Sequence, residues 1–335
     1  MTQQRPRVLH LVDDATPGGV TRVLDQIRSS LDMARDARHE VITVQRNKGL
    51  PNLRADVIVS HLSISWRSLP ALISFRARHA STPLIHVEHS YTHAFTALNV
   101  PMKLRFFALL RTAYALFDKV VAVSQPQAAW LERRGLVRPD MLHVITPVVD
   151  LRGFRALPAP AGPLRRIGAI GRLHSQKGFD ILIDAFRLLE DPQASLHIHG
   201  TGAQEAALKA RAAGDTRIVF HGHSDDPEAV MAGLDVIAIP SRWEAFGLVA
   251  LEARAAGRSI LTSGVDGLSE SAGRTARVVA DPCADSWAAA LQLHLSRAPL
   301  TTDPTRAATA EADFTAAWAA LIAELAPQTE MQIAA

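Results

Sequence analysis

The sequence predicts an α/β protein built from two doubly wound Rossmann-like domains that face each other across a cleft. Three observations carry that prediction. The chain has 335 residues, more than a single hydrophobic core usually organises. Short apolar runs rich in Val and Ile alternate with longer helical patterns in both halves, the signature of parallel sheets covered by helices. Between the halves lies "RALPAPAGPLR", residues 155–165, whose three prolines and one glycine suit neither helix nor strand.

In order along the chain, "RVLHLVD" reads as a first strand and "VTRVLDQIRSSL" as the first helix. The runs "EVITVQ", "ADVIVSHL", "PLIHVEH", "KVVAVS" and "LHVITP" follow as further strands. After the join the cycle restarts with "RRIGAIG", a helix near 178–190, "SLHIHG", a helix near 203–213, "RIVFHG", "LDVIAIPS" and "RSILTSG". "FTAAWAALIAEL", residues 314–325, reads as a C-terminal helix. The expected division is 1–155, 156–310, and a closing helix and tail at 311–335. Open parallel sheets bind ligands beyond the carboxyl ends of their strands, which is where chemistry is expected.

Composition narrows the function classes. Hydrophobic residues make up 48% and charged residues 21% of the chain, the balance of a folded globular protein. The single cysteine, Cys283, allows no intrachain disulfide. The start, "MTQQRPRVLHLV", lacks a signal peptide's apolar core, and no uncharged apolar stretch approaches the roughly 20 residues of a membrane span. A cytoplasmic protein, free or peripheral at the inner face of the membrane, is expected. The net charge of +3 conceals an asymmetry: residues 1–155 carry a net +9 and residues 156–335 a net −6. A basic half suits a phosphorylated substrate or an anionic surface. No aromatic-plus-basic nucleic-acid motif accompanies it, so nucleic acid is not an expected partner.

Several phosphate and metal signatures are missing. "GTGAQE" (200–205) begins like a dinucleotide fingerprint but carries Glu205 where the last glycine belongs. There is no Gly-x4-Gly-Lys-Ser/Thr loop and no Asp-x-Asp pair, and no His or Asp group has metal-ligand spacing. His197 and His199 read as ordinary sheet residues. What remains is more pointed. "GAIGRLHSQKGFDILIDAF" (168–186) places Arg172 and Lys177 between a strand and a helix. Two cations beside a helix N-terminus make an anion site, although two solvated charges would look the same. "TPGGVTR" (16–22) leaves Gly18 and Gly19 without side chains to keep a ligand from the backbone N–H groups. "SRWEAFGLVALEARAAG" (241–257) sets Glu244 and Glu252 in an otherwise apolar stretch, where each carboxylate needs a partner.

"GRLHSQKGFDILIDAF" followed by "LDVIAIPSRWEAFGLVALEARAAG" resembles the retaining glycosyltransferases of family four (glycosyl transferases group 1), which have the GT-B fold. "PGGV", "VAVSQPQAAWL" (121–131) and "DLRGF" (150–154) extend the resemblance nearly end to end. It implies transfer of a hexosyl unit from a UDP- or GDP-sugar, with retention at the anomeric carbon, to a glycan or lipid-linked acceptor in bacterial surface polysaccharide or glycolipid synthesis. It implies no cofactor and no metal. By the same resemblance, Glu244 contacts the donor sugar, Glu252 the ribose hydroxyls, and Arg172 with Lys177 the diphosphate. The backbone of Phe246, Gly247 and Leu248 lines the sugar pocket, Gly18 and Gly19 offer donors from the opposite domain, and Ser224 lies near the base. His89 in "HVEHSYTH" aligns with a histidine that faces the sugar, with His86 and His93 as the neighbouring alternatives. Catalysis is thereby assigned to His89, Glu244, Arg172 and Lys177.

The chain also departs from the family. Thr146-Pro147 replaces the usual Asn-Gly before the linker strand, and "VDGLSE" (265–270) carries Asp266 and Ser269 in the later glycine-rich loop, with Glu270 kept. These departures bear on donor choice. "PMKLRFFALLRTAYALF" (101–117) sets Phe106, Phe107 and Leu110 beside Lys103, Arg105 and Arg111, a pattern that docks on anionic lipid or packs as an ordinary core-facing helix. Two rival readings remain at this level: a nucleotide-sugar epimerase or hydrolase of the same fold, and a non-catalytic nucleotide-sugar-binding partner subunit.

Overall fold

The computed structural model describes residues 5–14, 16, 18–46, 48–296, 305 and 307–326. The expected tail, residues 327–335, lies outside the described residues. Two compact units emerge. Unit 1 draws on residues 1–89, 100–149 and 311–335, and unit 2 on residues 90–99 and 150–310. The short segment 90–99 thus clusters with the second unit although it falls within the first half of the sequence.

Unit 1 contains strands β1 (Arg7–Val12), β2 (Arg38–Thr43), β3 (Val57–Ser60), β4 (Leu84–Glu88), β5 (Lys119–Ala122) and β6 (Leu142–Val144). They pair in parallel in the order β2-β1-β3-β4-β5-β6. The inner strands are buried along their length, as in "VIVS" of β3 and "LIHVE" of β4, because helices cover both faces. The edge strand β2 is only half-buried. The helix Ala310–Leu325 completes this unit: Trp318 stands edge-on to His10 of β1, and Glu324 pairs with Lys119 of β5 at 2.6 Å.

Unit 2 contains β7 (Arg166–Ile170), β8 (Ser195–His199), β9 (Ile218–Gly222), β10 (Val236–Ile239), β11 (Ser259–Thr262) and β12 (Arg277–Val278). Their order is β12-β11-β10-β7-β8-β9, again parallel, which is the doubly wound order of a dinucleotide-type domain. Its core gathers Ile167, Leu182, Phe186, Leu196, Ile198, Val236 and Trp287, all almost fully buried. The helix Phe179–Arg187 follows β7 and turns Phe179, Leu182, Ile183 and Phe186 inward at helical spacing.

In each unit the strand order reverses direction once, between β1 and β3 and between β7 and β10. Crevices at such switch points, beyond the carboxyl ends of the strands, are the ligand positions of open α/β sheets. The loops that leave β1, β3, β7 and β10 therefore matter most. Among the described residues no helix is long and apolar enough to cross a membrane.

Candidate active site

The loop leaving β7 lies against the loop leaving β10, and glycine permits the approach. Gly178 has φ +66°, and a Cβ there would sit 2.1 Å from the carbonyl oxygen of Pro240. Arg242 then ties the two loops together. Its N–H donates to the Gln176 carbonyl at 2.7 Å, and its guanidinium donates to the Ser175 carbonyl at 2.7 Å. The same guanidinium forks onto both oxygens of Asp180, at 2.9 and 2.7 Å. Burial works against the Asp180 carboxylate, but Arg242 overrides it and holds that group below its ordinary range, while the pairing raises Arg242. The Gln176 amide adds a bond to the Trp243 carbonyl at 3.0 Å.

This framework brings Lys177 and Glu244 together. The ammonium lies 2.5 Å from Oε2 of Glu244, and the Ser241 hydroxyl donates to the same oxygen at 3.4 Å. The two side chains keep 17% and 14% exposure, so the pair is sheltered but open to a ligand. Arg172, in the same loop, is exposed, and its guanidinium makes no ion pair among the described residues. One loop thus presents two cations, one bound to a carboxylate and one unengaged.

A third loop, leaving β11, supports Glu244 from the other side. Asp266 adopts φ +47°, and its carboxylate accepts from the Glu244 N–H at 3.3 Å, the Thr92 hydroxyl at 2.7 Å and the Ala94 N–H at 3.1 Å. Gly267 donates its N–H to the Glu244 carbonyl at 3.0 Å, and a Cβ on Gly267 would lie 2.1 Å from the Ala245 oxygen. Gly247 caps the helix Leu248–Ala255 with φ +96°, and the Ser271 hydroxyl holds the Phe246 carbonyl at 2.6 Å. Ala250 and Leu251 donate their N–H groups to the Gly247 carbonyl at 3.0 and 3.4 Å, and the N–H groups of Leu248 and Val249 precede any acceptor within the helix. Glu252 lies four residues into it and is 2% exposed, so it is not a solvated surface carboxylate.

Other residues singled out by the sequence lie elsewhere. Ser224 follows β9, exposed, where its hydroxyl accepts the Asp226 N–H at 3.2 Å and shapes a turn; no hydrogen bond joins it to the Lys177–Glu244 group. His197 and His199 are half-buried in β8, and both stack on His221 of β9. Among the described residues no cluster of His, Cys, Asp or Glu is arranged to hold a metal ion.

In unit 1, Gly18 precedes and Gly19 begins the helix Gly19–Ser29 after β1. Gly18 is fully extended, and a Cβ there would meet nothing closer than 3.8 Å. Neither backbone conformation nor crowding demands glycine at that position, so the bare N-terminus is not a requirement of the fold. The three histidines of "HVEHSYTH" separate cleanly. His86 is 2% exposed inside β4 among Tyr114 and Phe117. His93 is exposed at the start of the helix His93–Asn99 and belongs to unit 2. His89 stands just beyond the end of β4, half-buried, with Nε2 2.8 Å from Nδ1 of His61.

The 101–117 segment divides its apolar residues between core and surface. Its helix runs Lys103–Tyr114, and Leu110 is fully buried. Phe106 and Phe107 are half-buried, and Phe107 packs against Trp130 beneath Arg134. The exposed apolar residues are instead Met102 at 63% and Leu104 at 87%. The helix turns its aromatic side partly inward because Leu109, Leu110 and Ala113 define the core stripe.

Sequence reasoning passed over Arg242, Asp180 and Thr92. Arg242 lies inside the quoted glutamate stretch, but nothing in its spacing betrays a partner 62 residues away. Asp266 stood out only as a departure from the family pattern.

Comparison with known proteins agrees with this architecture. Residues 165–297 match the family model described as glycosyl transferases group 1, and residues 44–152 match that of Glycosyltransferase Family 4. The chain is 32% identical over 206 residues to a D-inositol 3-phosphate glycosyltransferase of Jonesia denitrificans, covering 52% of this chain and 48% of that protein. A glycogen synthase of Mycobacterium tuberculosis is 41% identical over 110 residues, 30% of this chain and 26% of that one. The chain thus spans half or less of the length of these curated relatives. Among solved structures, Anabaena Alr3699/HepE in complex with UDP and glucose superposes with a TM-score of 0.72 at 19% identity, over 95% of this chain and 98% of that one. The lipopolysaccharide outer core galactosyltransferase WaaB gives 0.70 at 14% identity, over 95% and 100%. At such identities the structural likeness speaks for the fold alone. With its two doubly wound sheets and two adjoining family matches, the chain belongs to the group 1 glycosyltransferases, the family-four proteins of GT-B fold.

Proposed function

We propose that the protein transfers a hexosyl unit from a nucleotide sugar, a UDP- or GDP-sugar, to a glycan or lipid-linked acceptor with retention at the anomeric carbon. The observation that carries this reading is the Lys177–Glu244 pair with Arg172 beside it, set at the β7/β10 switch point. Rupture of the bond from sugar to phosphate leaves negative charge on the departing diphosphate. Arg172 and Lys177 are fixed cations that stabilise this charge more in the transition state than in the ground state. Glu244, positioned by Lys177 and Asp266, accepts a hydroxyl of the sugar, and Glu252 serves the ribose hydroxyls. The backbone of Phe246, Gly247 and Leu248 lines the sugar site, and Ser224 lies toward the base. Gly18, Gly19 and His89 are assigned to the same reaction from unit 1.

In the proposed step the acceptor oxygen attacks C1 from the face that the diphosphate leaves. The carbon–oxygen bond to phosphate breaks, the bond to the acceptor forms, and the acceptor's proton passes to the departing phosphate oxygen. No protein carboxylate acts as nucleophile. The two cations supply the charge a metal would otherwise bring, so activity is expected to persist in EDTA. The sequence relative named D-inositol 3-phosphate glycosyltransferase supports the reaction class. Met102 and Leu104 beside Lys103 and Arg105 support a lipid-linked acceptor met at an anionic membrane in surface polysaccharide or glycolipid synthesis. Absence of binding in a vesicle sedimentation assay would remove that part.

The test is incubation with UDP- and GDP-hexoses and an acceptor panel, with the product's anomeric configuration read by NMR. A product of the donor's own configuration is expected. Inversion contradicts the mechanism. Donor consumption without acceptor favours the hydrolase or epimerase reading, and binding without turnover favours a partner subunit.

A further inference from the structure

Four histidines of unit 1 form one hydrogen-bonded row across four neighbouring strands. Nδ1 of His39 on β2 lies 3.0 Å from Nε2 of His10 on β1. Nδ1 of His10 lies 3.0 Å from Nε2 of His61, just past β3. Nδ1 of His61 lies 2.8 Å from Nε2 of His89, just past β4. Successive ring centroids are 5.3, 5.3 and 5.1 Å apart. His10 is fully buried and His61 8% exposed, while the end rings are half-buried. Among the described residues, Nε2 of His39 and Nδ1 of His89 have no hydrogen-bond partner, so the row has two open ends.

We propose that His39, His10 and His61 are positioning residues that set the tautomer of His89 collectively: all four protons sit on Nε2 or all four on Nδ1, and the state of His39 decides whether Nδ1 of His89 accepts or donates. A neutral imidazole has one N–H and one bare nitrogen, and each of the three bonds needs one of each. Once one ring is assigned, all four follow, and only two arrangements satisfy the row. Either every proton is on Nε2 or every proton is on Nδ1; a mixed arrangement puts two bare nitrogens, or two N–H groups, face to face in a buried site.

Both arrangements satisfy the three bonds, so a group that fixes the proton of His39 fixes that of His89. Carboxylates act on both ends, Asp36 on His39 and Glu88 on His89, and each favours the charged ring. Burial keeps the rings neutral: it lowers His10 to about 3 and His39 and His89 to about 4, and depresses His61 well below its usual value. The row is therefore a matter of tautomer rather than of charge near neutral pH. Resting on the glycosyl-transfer reading, the row decides whether Nδ1 of His89 accepts a hydrogen bond from a donor-sugar hydroxyl or donates one to it.

The test changes the far end of the row. His39 sits half-buried on the edge strand β2, away from the buried middle of the row. His39→Lys offers His10 only a donor and puts the proton of each remaining ring on Nδ1; His39→Glu offers only an acceptor and puts it on Nε2. Two-bond 1H–15N spectra of the full chain, labelled at histidine and free of nucleotide, read the protonated nitrogen of each ring directly. Expected is Nε2–H at His89 in His39→Glu and Nδ1–H in His39→Lys. The same His89 tautomer in both variants overturns the proposal. In turnover, KM for the sugar donor is expected to differ between His39→Lys and His39→Glu by on the order of tenfold, the worth of one hydrogen bond, with affinity for the free nucleoside diphosphate the same in both. An equal KM in the two overturns the sugar contact. Because the spectra need no substrate, failure of the row and failure of the glycosyltransferase reading are told apart.

Discussion

Lys177 and Glu244 illustrate how a site can be stable and still available. Each neutralises the other when no ligand is bound, and each has a second use once a diphosphate and a sugar hydroxyl arrive. Replacing Lys177 by Met leaves a sheltered carboxylate without its cation, and a loss of about 1–3 kcal/mol of stability is expected from urea unfolding, short of the penalty for a fully buried pair. Donor turnover should fall by on the order of 10²-fold or more, as for removal of a fixed electrostatic group. Arg242→Ala tests a different idea. It leaves every assigned ligand contact in place but unties the β7 and β10 loops, so stability should drop by about 1–3 kcal/mol and KM for the donor should rise. An unchanged KM would mean that the loops hold their places without it. At this scale Glu244 and Glu252 stood out in the sequence because charge inside an apolar run is conspicuous, and Arg172 and Lys177 because two cations share a strand-to-helix loop. Arg242, Asp180 and Thr92 were not, because their bonds join segments distant in sequence and their residue types are ordinary.

Glycines decide the geometry of the connecting elements, and they do so for two different reasons. Gly178 is required by shape, since a Cβ would strike the Pro240 carbonyl and its φ is positive. Gly18 is required by neither. Gly178→Ala should therefore destabilise unit 2 by more than about 2 kcal/mol. Gly18→Ala should leave stability within about 0.5 kcal/mol and lower donor or acceptor affinity, which follows only if the Gly19–Ser29 helix N-terminus meets a ligand. Thermal melts together with steady-state kinetics separate the two cases. Most strands were readable because a parallel strand buried on both faces is a continuous Val/Ile run. The helix Ala284–Leu295 was not placed: in "ADSWAAALQLHL" alanine fills both inward and outward positions, and the apolar stripe loses its contrast. The two-residue strand β12 is too short to carry a pattern. Segment 90–99 could not be assigned to unit 2 from sequence, because the bonds of Thr92 and Ala94 to Asp266 span more than 170 residues.

For the molecule as a whole, the buried histidines make folding sensitive to acid. Their folded-state values lie below 6.5, near 3 for His10 and near 4 for His39 and His89, because burial disfavours the charged ring. Below pH 6.5 the unfolded chain takes up protons that the folded chain refuses, so stability is fully present above that pH and declines as pH falls toward 4. Each such proton contributes a slope of about 1.4 kcal/mol per pH unit. Urea midpoints should fall steadily between pH 6.5 and 4.5, and a midpoint constant over that range would show that the rings are protonated in the folded protein. The basic character of residues 1–155 and the acidic character of residues 156–335 were plain from composition, and the resemblance carried by the glutamate stretch anticipated the fold of both halves. The donor's identity is the quantity still to be measured. Thermal stabilisation by UDP, GDP, ADP and their sugar conjugates, for the wild type beside Glu252→Ala and Arg172→Ala/Lys177→Ala, tests the central claim most directly. The account predicts a shift with one nucleotide series that both variants abolish. Well-folded protein that shifts with none of them would contradict it.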